Sequence, residues 1–198
     1  MAGRPIECDR AEATRKATIR FWEHGYRGTS VADLVAETGL NRFGLYGEFG
    51  GKKGMFLKAC EGYADQSRRC GLEPLSKATD PEKALQVFFA GVVASQLDEA
   101  KPHGCLMINT LSEGAFQDPD VQRVIREHFD TVEKIFAEVL ARAVGKKANA
   151  ADVRHAASLL LNNLFGIVQM ARLKPGRPVL ERVASDAVKI AVRTAKSS

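Results

Sequence analysis

The stretch that decides the fold is TSVADLVAETGLNRFGLYGEF, residues 29–49. Apolar residues recur at helical spacing on both sides of Gly39, which predicts two short helices separated by a turn. Ser30 followed by Asp33 resembles a capping box for the first helix, and Asn41 is a good N-cap for the second. Two short helices joined in this way form a helix-turn-helix, whose second helix can enter the major groove of DNA.

Helical periodicity continues in both directions from this stretch. A preceding helix is expected to end at Gly25, and a following helix to run from Lys52 to about residue 70. After a joint at residues 71–80, the sequence predicts five more helices, over about 81–99, 104–116, 119–144, 150–173 and 178–195. Because no run of alternating β-branched residues interrupts this pattern, we expect an all-α protein with about nine helices.

Composition limits the classes of protein to consider. The 198 residues are 45% hydrophobic and 27% charged, as in ordinary globular proteins, and the net charge of +5 is compatible with nucleic-acid binding. The sequence has neither a long apolar segment nor a secretory signal, so we expect a cytoplasmic protein with no membrane partner. Its four cysteines form no CxxC pair and its four histidines are scattered, so we expect no metal site and no cofactor.

The second short helix carries the residues expected to face DNA: Asn41, Arg42, Phe43, Gly44 and Tyr46. Arg42 could read a guanine or hold a phosphate, and the small Gly44 would let the helix approach closely. Lys52 and the backbone N–H groups beside it could hold another phosphate. The pattern alone leaves open a structural α-hairpin with a solvated face.

A longer ordered pattern surrounds these helices. It comprises FWEHGYRGTSVADL at residues 21–34, TGL at 38–40 and LYGEFGGK at 45–52. The aromatic-glycine turn, the Thr-Ser step, the Gly-Leu turn and the Leu-Tyr-x-x-Phe element leading to a lysine resemble the N-terminal domain of the TetR family of bacterial repressors.

The resemblance implies roles for particular residues. Thr29, with Ser30 beside it, would bond a backbone phosphate, Tyr46 would pack and touch a phosphate, and Lys52 would approach the backbone. The variable specificity positions would be Asn41, Arg42 and Phe43. The resemblance also implies a division of the chain into a three-helix DNA-binding domain, a linking helix and a larger helical domain for ligand binding and dimerisation. These would be residues 1–53, about 52–70 and 71–198.

The helix predicted near residues 150–173 is apolar around much of its circumference, which favours burial on more than one side. One side could face a second copy of the chain, and a plain core helix is the alternative. The candidate interface residues on the last two helices are Leu160, Leu164, Ile167, Val168, Val183, Ala187 and Ile190. A two-fold dimer would match a palindromic operator.

The candidates for contact with an effector are Cys105, Met107, Phe116 and Phe165. Gly104-Cys105-Leu106 is similar to a motif in a subset of the family, some of whose members sense electrophiles or oxidants through the cysteine. A thiol in the first turn of a helix would have a lowered pKa. A small buried cysteine is the alternative.

These observations predict a ligand-responsive regulator of transcription, a repressor that binds double-stranded operator DNA as a homodimer and is released by a small molecule. A redox- or electrophile-sensing repressor that uses Cys105, or a helical interaction module without DNA binding, are the alternatives. The sequence lacks GxSxG, phosphate-loop and HExxH motifs, so we predict no catalytic residues and no enzyme.

Overall fold

The computed structural model describes residues 7–145 and 148–196, and within these ranges every regular element is helical, which confirms the all-α class. The α-helices are α1 (Glu7–His24), α2 (Val31–Thr38), α3 (Arg42–Phe49), α4 (Lys52–Ser67), α5 (Glu73–Lys77), α6 (Pro81–Gln96), α7 (Leu106–Leu111), α8 (Pro119–Val144), α9 (Ala150–Ala171) and α10 (Arg177–Ala195).

Local signals place the helix-turn-helix as the sequence predicts. The Ser30 hydroxyl accepts the Asp33 N–H at 3.1 Å, and the Asp33 carboxylate accepts the Ser30 N–H at 2.7 Å. Gly39 ends α2 in the left-handed region with φ 76°. The Asn41 side chain then accepts the Gly44 N–H at 2.8 Å and begins α3. The predicted capping box and the predicted N-cap are therefore confirmed.

Two predicted boundaries differ from the structure. The expected joint at residues 71–80 is largely helical, since a π-helix over Arg68–Leu72 leads into α5, whose first turn contains a proline. A proline fits there because the first turn of a helix leaves its N–H groups without intrahelical partners. The expected helix over residues 104–116 is divided into α7 and a 3-10 turn at Gly114–Gln117, because residues 112–114, Ser-Glu-Gly, favour a turn.

The chain forms two compact units. The first consists of the described residues of Met1–Asp65 together with Cys105–Ile125, and the second of the described residues of Gln66–Gly104 and Arg126–Ser198. Cys105–Ile125 thus packs with the N-terminal helices. The functional division at residue 71 stays a prediction.

An aromatic cluster holds the first unit together. The rings of Phe21 and Phe56 meet edge to face with centroids 4.9 Å apart, and the Tyr26 ring lies 5.0 Å from that of Phe56. Leu34 of α2 and Leu45 of α3 are fully buried. The rings join α1 and the turn after it to α4, while α2 packs on α1 and on α3.

The second unit is built around α9 and α10, which pack on each other and on α6. The rings of Phe88, Phe89 and Phe136 join α6 to α8, with centroid separations of 5.5–5.8 Å. The Arg142 guanidinium donates to the carbonyl of Ala78 at 3.0 Å, which fastens the end of α5 to α8. This packing gives α9 and α10 a substantial core within a single chain.

Four of the seven residues predicted for a dimer interface are buried within one chain. Leu160, Ile167 and Ala187 belong to this core, and Val168 is also buried. Their burial within one chain matches the plain core alternative. Leu164 and Val183 are half-buried, and Ile190 is 49% exposed.

No helix in the described ranges is long and apolar enough to cross a membrane. Within those same residues, no three His, Cys, Asp or Glu side chains are grouped as a metal ion would require.

Candidate nucleic-acid interface

Helix α3 presents one face to solvent and is anchored by the other. Arg42 is exposed, Phe43 is 91% exposed and Tyr46 is 57% exposed. On the opposite side Leu45 is fully buried, and the Glu48 carboxylate accepts the Arg10 Nε–H of α1 at 2.6 Å. The exposed face therefore carries a cation and two aromatic rings, while the acidic side chain of α3 is paired with α1.

The capping side chains have part of their hydrogen-bonding capacity engaged. The Asn41 carbonyl oxygen accepts the Gly44 N–H, so the amide nitrogen remains as the group with which exposed Asn41 could donate to DNA. The exposed Ser30 hydroxyl accepts the Asp33 N–H, and both the Ser30 N–H and this hydroxyl hydrogen-bond the Asp33 carboxylate and lower its pKa. Of these two capping side chains, only Asn41 holds a helix and still presents a donor without a partner in the cap.

Thr29 lies where the expected phosphate contact cannot form in this structure. Its side chain is fully buried, and its hydroxyl donates to the Gly25 carbonyl at 2.8 Å. The hydroxyl thus closes the turn between α1 and α2. The sequence placed Thr29 just before α2, but the side chain faces inward because its hydroxyl is bonded to the Gly25 carbonyl within the turn.

Tyr46 and Lys52 are both held by neighbouring groups. Gly51 has φ 92°, and a Cβ at this position would lie 2.9 Å from Cε1 of Tyr46, so the tyrosine ring needs a glycine there. The Lys52 ammonium lies 4.3 Å from the centre of the Tyr26 ring, a cation–π distance. Partial burial lowers the pKa of Lys52. These contacts fix both side chains beside α3 and at the first turn of α4.

Sequence reasoning missed Glu113. Its carboxylate accepts the Tyr26 N–H at 2.7 Å, between residues 87 positions apart. Gly25, with φ 71°, lies so close that a Cβ there would stand 2.6 Å from Oε1 of Glu113. The turn that precedes α2 is therefore held by a hydrogen bond to the segment Cys105–Ile125. No local sequence pattern could have predicted this contact.

A second link joins the same segment to the start of α4. The Lys53 ammonium lies 2.8 Å from carboxylate oxygens of both Asp118 and Asp120. The hydrogen bonds that Lys53 donates to these carboxylates raise the pKa of Lys53 and lower the pKa of Asp118. The positive charge of Lys53 is thus paired within the chain. The sequence predicted only that a helix begins near residue 119.

Cys105 is paired with Tyr63 of α4. The tyrosine hydroxyl donates to Sγ at 3.2 Å, and its ring meets the Trp22 ring edge to face at 5.0 Å. Burial raises the pKa of the Cys105 thiol and outweighs the opposite effect of the Tyr63 hydrogen bond. The predicted lowering of this pKa is therefore wrong, because loss of hydration exceeds the effect of the six-residue helix that follows.

The other effector candidates lie in both units. Met107 is fully buried and Phe116 half-buried in the first unit. Phe165 belongs to the second unit, where its ring lies 4.6 Å from that of Phe129. Phe165 therefore packs on Phe129 within the second unit, apart from the candidates in the first unit.

A capped helix-turn-helix with an exposed second helix, carried by an all-α chain, defines a DNA-binding regulator of transcription, which is a class of protein distinct from the enzymes. Two family models agree with this class. The model described as "Bacterial regulatory proteins, tetR family" matches residues 14–59, and the model described as "Tetracyclin repressor-like, C-terminal domain" matches residues 79–186. The chain belongs to the tetR family of bacterial regulatory proteins.

Relatives extend over most of the chain. The HTH-type transcriptional repressor ComR of Escherichia coli (strain K12) is 29% identical over 191 residues, which are 95% of this chain and 91% of ComR. The HTH-type transcriptional regulator YezE of Bacillus subtilis (strain 168) is 30% identical over 141 residues, 71% of this chain and 73% of YezE. Among solved structures, the chain is similar to a triple cysteine mutant of the TetR family transcriptional regulator CifR, complexed with 26bp double-strand operator DNA. The sequence identity is 26% and the TM-score is 0.83, over 94% of this chain and 98% of the CifR chain.

The grip of Glu113 on the turn can be tested with Glu113→Ala. We expect the first unit to lose about 1–3 kcal/mol, because the substitution removes a charged acceptor from a partly buried N–H group. Hydrogen exchange of the Tyr26 amide should accelerate, and the thermal midpoint should fall.

Glu61→Ala is the matched control. It removes an exposed carboxylate paired with Lys58 at 2.7 Å, and exposed pairs of this kind contribute at most about 1 kcal/mol. Equal exchange rates for the Tyr26 amide in the two variants would contradict the role given to Glu113.

Proposed function

We propose that this regulator represses transcription by binding a palindromic double-stranded operator as a homodimer, and that a small-molecule effector releases it. The observation that carries the proposal is the exposed face of α3, with Arg42, Phe43 and Tyr46 in solvent while Leu45 anchors the helix. The name of ComR as a repressor and the operator complex of CifR support it. Such a regulator acts on the chromosome, so we propose a cytoplasmic location.

We assign the contacts by chemistry. Tyr46, Lys52 and the exposed Ser30 hydroxyl would bind phosphates, assisted by the first N–H groups of α4. Asn41, Arg42 and Phe43 would meet base edges from the N-terminal part of α3, with Gly44 allowing close approach. Thr29 would act indirectly, by closing the turn that positions α2.

The test is the binding of a duplex taken from the promoter region of the protein's own gene, followed by fluorescence anisotropy at several salt concentrations. Lys52→Ala should weaken binding about tenfold and reduce the slope of log affinity against log salt by about one for each subunit. Tyr46→Phe keeps the ring beside Gly51 and removes only the hydroxyl, so it should weaken binding less.

Lys83→Ala, at an exposed position of α6, removes the same charge from the second unit and should leave binding unchanged. A folded dimer that binds no operator duplex at low salt would contradict DNA binding and favour the alternative of a helical interaction module.

The homodimer would use the parts of α9 and α10 that one chain leaves accessible. Ile190 is half exposed, and Leu164 and Val183 are only partly covered. An exposed apolar side chain on this pair of helices could pack on the same surface of a second copy of the chain. The two recognition helices of such a two-fold dimer would match a palindromic operator.

We therefore expect Ile190→Glu to convert a dimer into a folded monomer, because the carboxylate would be buried without a partner in the interface. Light scattering gives the mass and circular dichroism the fold. Leu160→Ala is the contrasting variant, since it empties a fully buried site and should cost about 2–5 kcal/mol of stability in either state. An Ile190→Glu protein that stays dimeric would remove α10 from the interface.

Release by an effector needs a route to the DNA-binding helices. The segment Cys105–Ile125 supplies one, since Glu113 holds the turn before α2 and Asp118 with Asp120 holds Lys53 at the start of α4. A ligand that favours another position of this segment would shift α2 and α4 without touching DNA. Half-buried Phe116 offers apolar surface on this segment to such a ligand, whereas fully buried Met107 would be reached only after the segment moves.

A second candidate function is response to oxidants or electrophiles at Cys105. The hydrogen bond from Tyr63 favours it, because modification of the sulfur would disturb a side chain packed on Trp22 of α1. The raised pKa of Cys105 opposes it, since the thiolate is the reactive form.

We expect iodoacetamide to modify Cys105 more slowly at pH 7 than the exposed Cys70, with the Cys105 rate rising about tenfold per pH unit up to its pKa. Mass spectrometry of peptides measures both rates. The functional readout is DNA binding after mild oxidation of the wild type and of Cys105→Ser. Equal loss of binding in the two proteins would exclude Cys105 as the sensor.

A further inference from the structure

Phe43 is 91% exposed, although it is a large apolar side chain at the second position of α3. In a helix-turn-helix, the N-terminal residues of the second helix meet the edges of the bases. The phenyl ring has no hydrogen-bond donor or acceptor to offer there. Its contribution to recognition must therefore come from contact with an apolar group.

The surroundings of Phe43 leave the ring free to enter a groove. Gly47, one helical turn further on, has no atom within 4 Å of an ideal Cβ position, whereas a Cβ at Gly44 would meet Asn41 at 3.5 Å and Leu40 at 3.7 Å. The ring thus stands beside an open position of the helix, with no side chain at Gly47 to hold the backbone away from DNA. Close approach of α3 would bring the ring down onto the floor of the major groove.

The major groove presents one methyl group, the C5 methyl of thymine, while its other distinguishing groups are hydrogen-bond donors and acceptors. A phenyl ring gains by covering a methyl group and loses by covering a polar edge, because the polar edge would lose its water without gaining a partner. Insertion between base steps is the other known use of apolar side chains, and it belongs to the minor groove.

We propose that Phe43 reads a thymine in each half-site of the operator, by packing its ring on the C5 methyl group. The proposal rests on the proposed function, in which α3 enters the major groove. It makes Phe43 a determinant of specificity that needs no hydrogen bond, beside the polar readers Asn41 and Arg42.

The first experiment selects binding sequences from a pool of random duplexes, with the wild type, Phe43→Ala and Arg42→Ala. The wild type should enrich a palindrome with thymine at one position of each half-site. Phe43→Ala should lose the preference at that position and keep the others. Arg42→Ala should lose a different position, which shows that the effect of Phe43 is local.

The second experiment isolates the methyl group. Deoxyuridine replaces thymidine at the assigned position of the selected duplex, which keeps base pairing and removes only the methyl group. The wild type should lose about three- to tenfold in affinity per half-site, the amount expected for one buried methyl contact. Phe43→Ala should bind the two duplexes equally, and Phe43→Leu should retain part of the discrimination.

The outcomes separate this inference from the function on which it rests. A wild type that enriches no sequence overturns both. A wild type that enriches a palindrome but binds the thymidine and deoxyuridine duplexes equally overturns the reading of the methyl group alone, as does a Phe43→Ala protein with undiminished discrimination. Because Phe43 is exposed, its replacement should leave the helical circular dichroism spectrum unchanged, and this is measured with each variant.

Discussion

The turn between α1 and α2 carries two hydrogen bonds on which the position of the following helices depends. The Thr29 hydroxyl donates to the Gly25 carbonyl from inside the turn, and the Glu113 carboxylate accepts the Tyr26 N–H from outside it. Gly25 has positive φ and leaves room for that carboxylate. Because α2 begins directly after the turn, its direction and that of α3 follow from this arrangement.

The contacts around this turn differ in how readily they can change. Thr29 and the paired rings of Phe21 and Phe56 are buried, so losing these contacts would unfold the unit. The pairs of Lys53 with Asp118 and Asp120 are largely exposed, and such pairs contribute little and weaken with salt. A regulator needs this combination of a rigid DNA-binding part and ion pairs that can break at a small cost in free energy. These ion pairs join the DNA-binding part to the segment that would respond to an effector.

Helix α3 shows how function and local stability are reconciled. Gly44 and Gly47 each weaken a helix by about 1 kcal/mol relative to alanine. The cap by Asn41, the burial of Leu45 and the ion pair of Glu48 with Arg10 offset this cost from the ends and the inner side. On the outer side of α3 the glycines add no side chain, so the side chains of Arg42, Phe43 and Tyr46 are exposed to solvent.

The sequence by itself determined the all-α class, the bounds of α2 and α3, and the residues on the exposed face of α3. These follow from interactions among residues a few positions apart, namely capping, glycine termination and helical periodicity. Only the tertiary structure decided that Glu113 holds the turn, that Thr29 faces inward, that Leu160 and Ile167 lie in the core of one chain, and that burial raises the pKa of Cys105. Each of these depends on which distant segments of the chain pack together and exclude water, and local sequence patterns do not specify that packing.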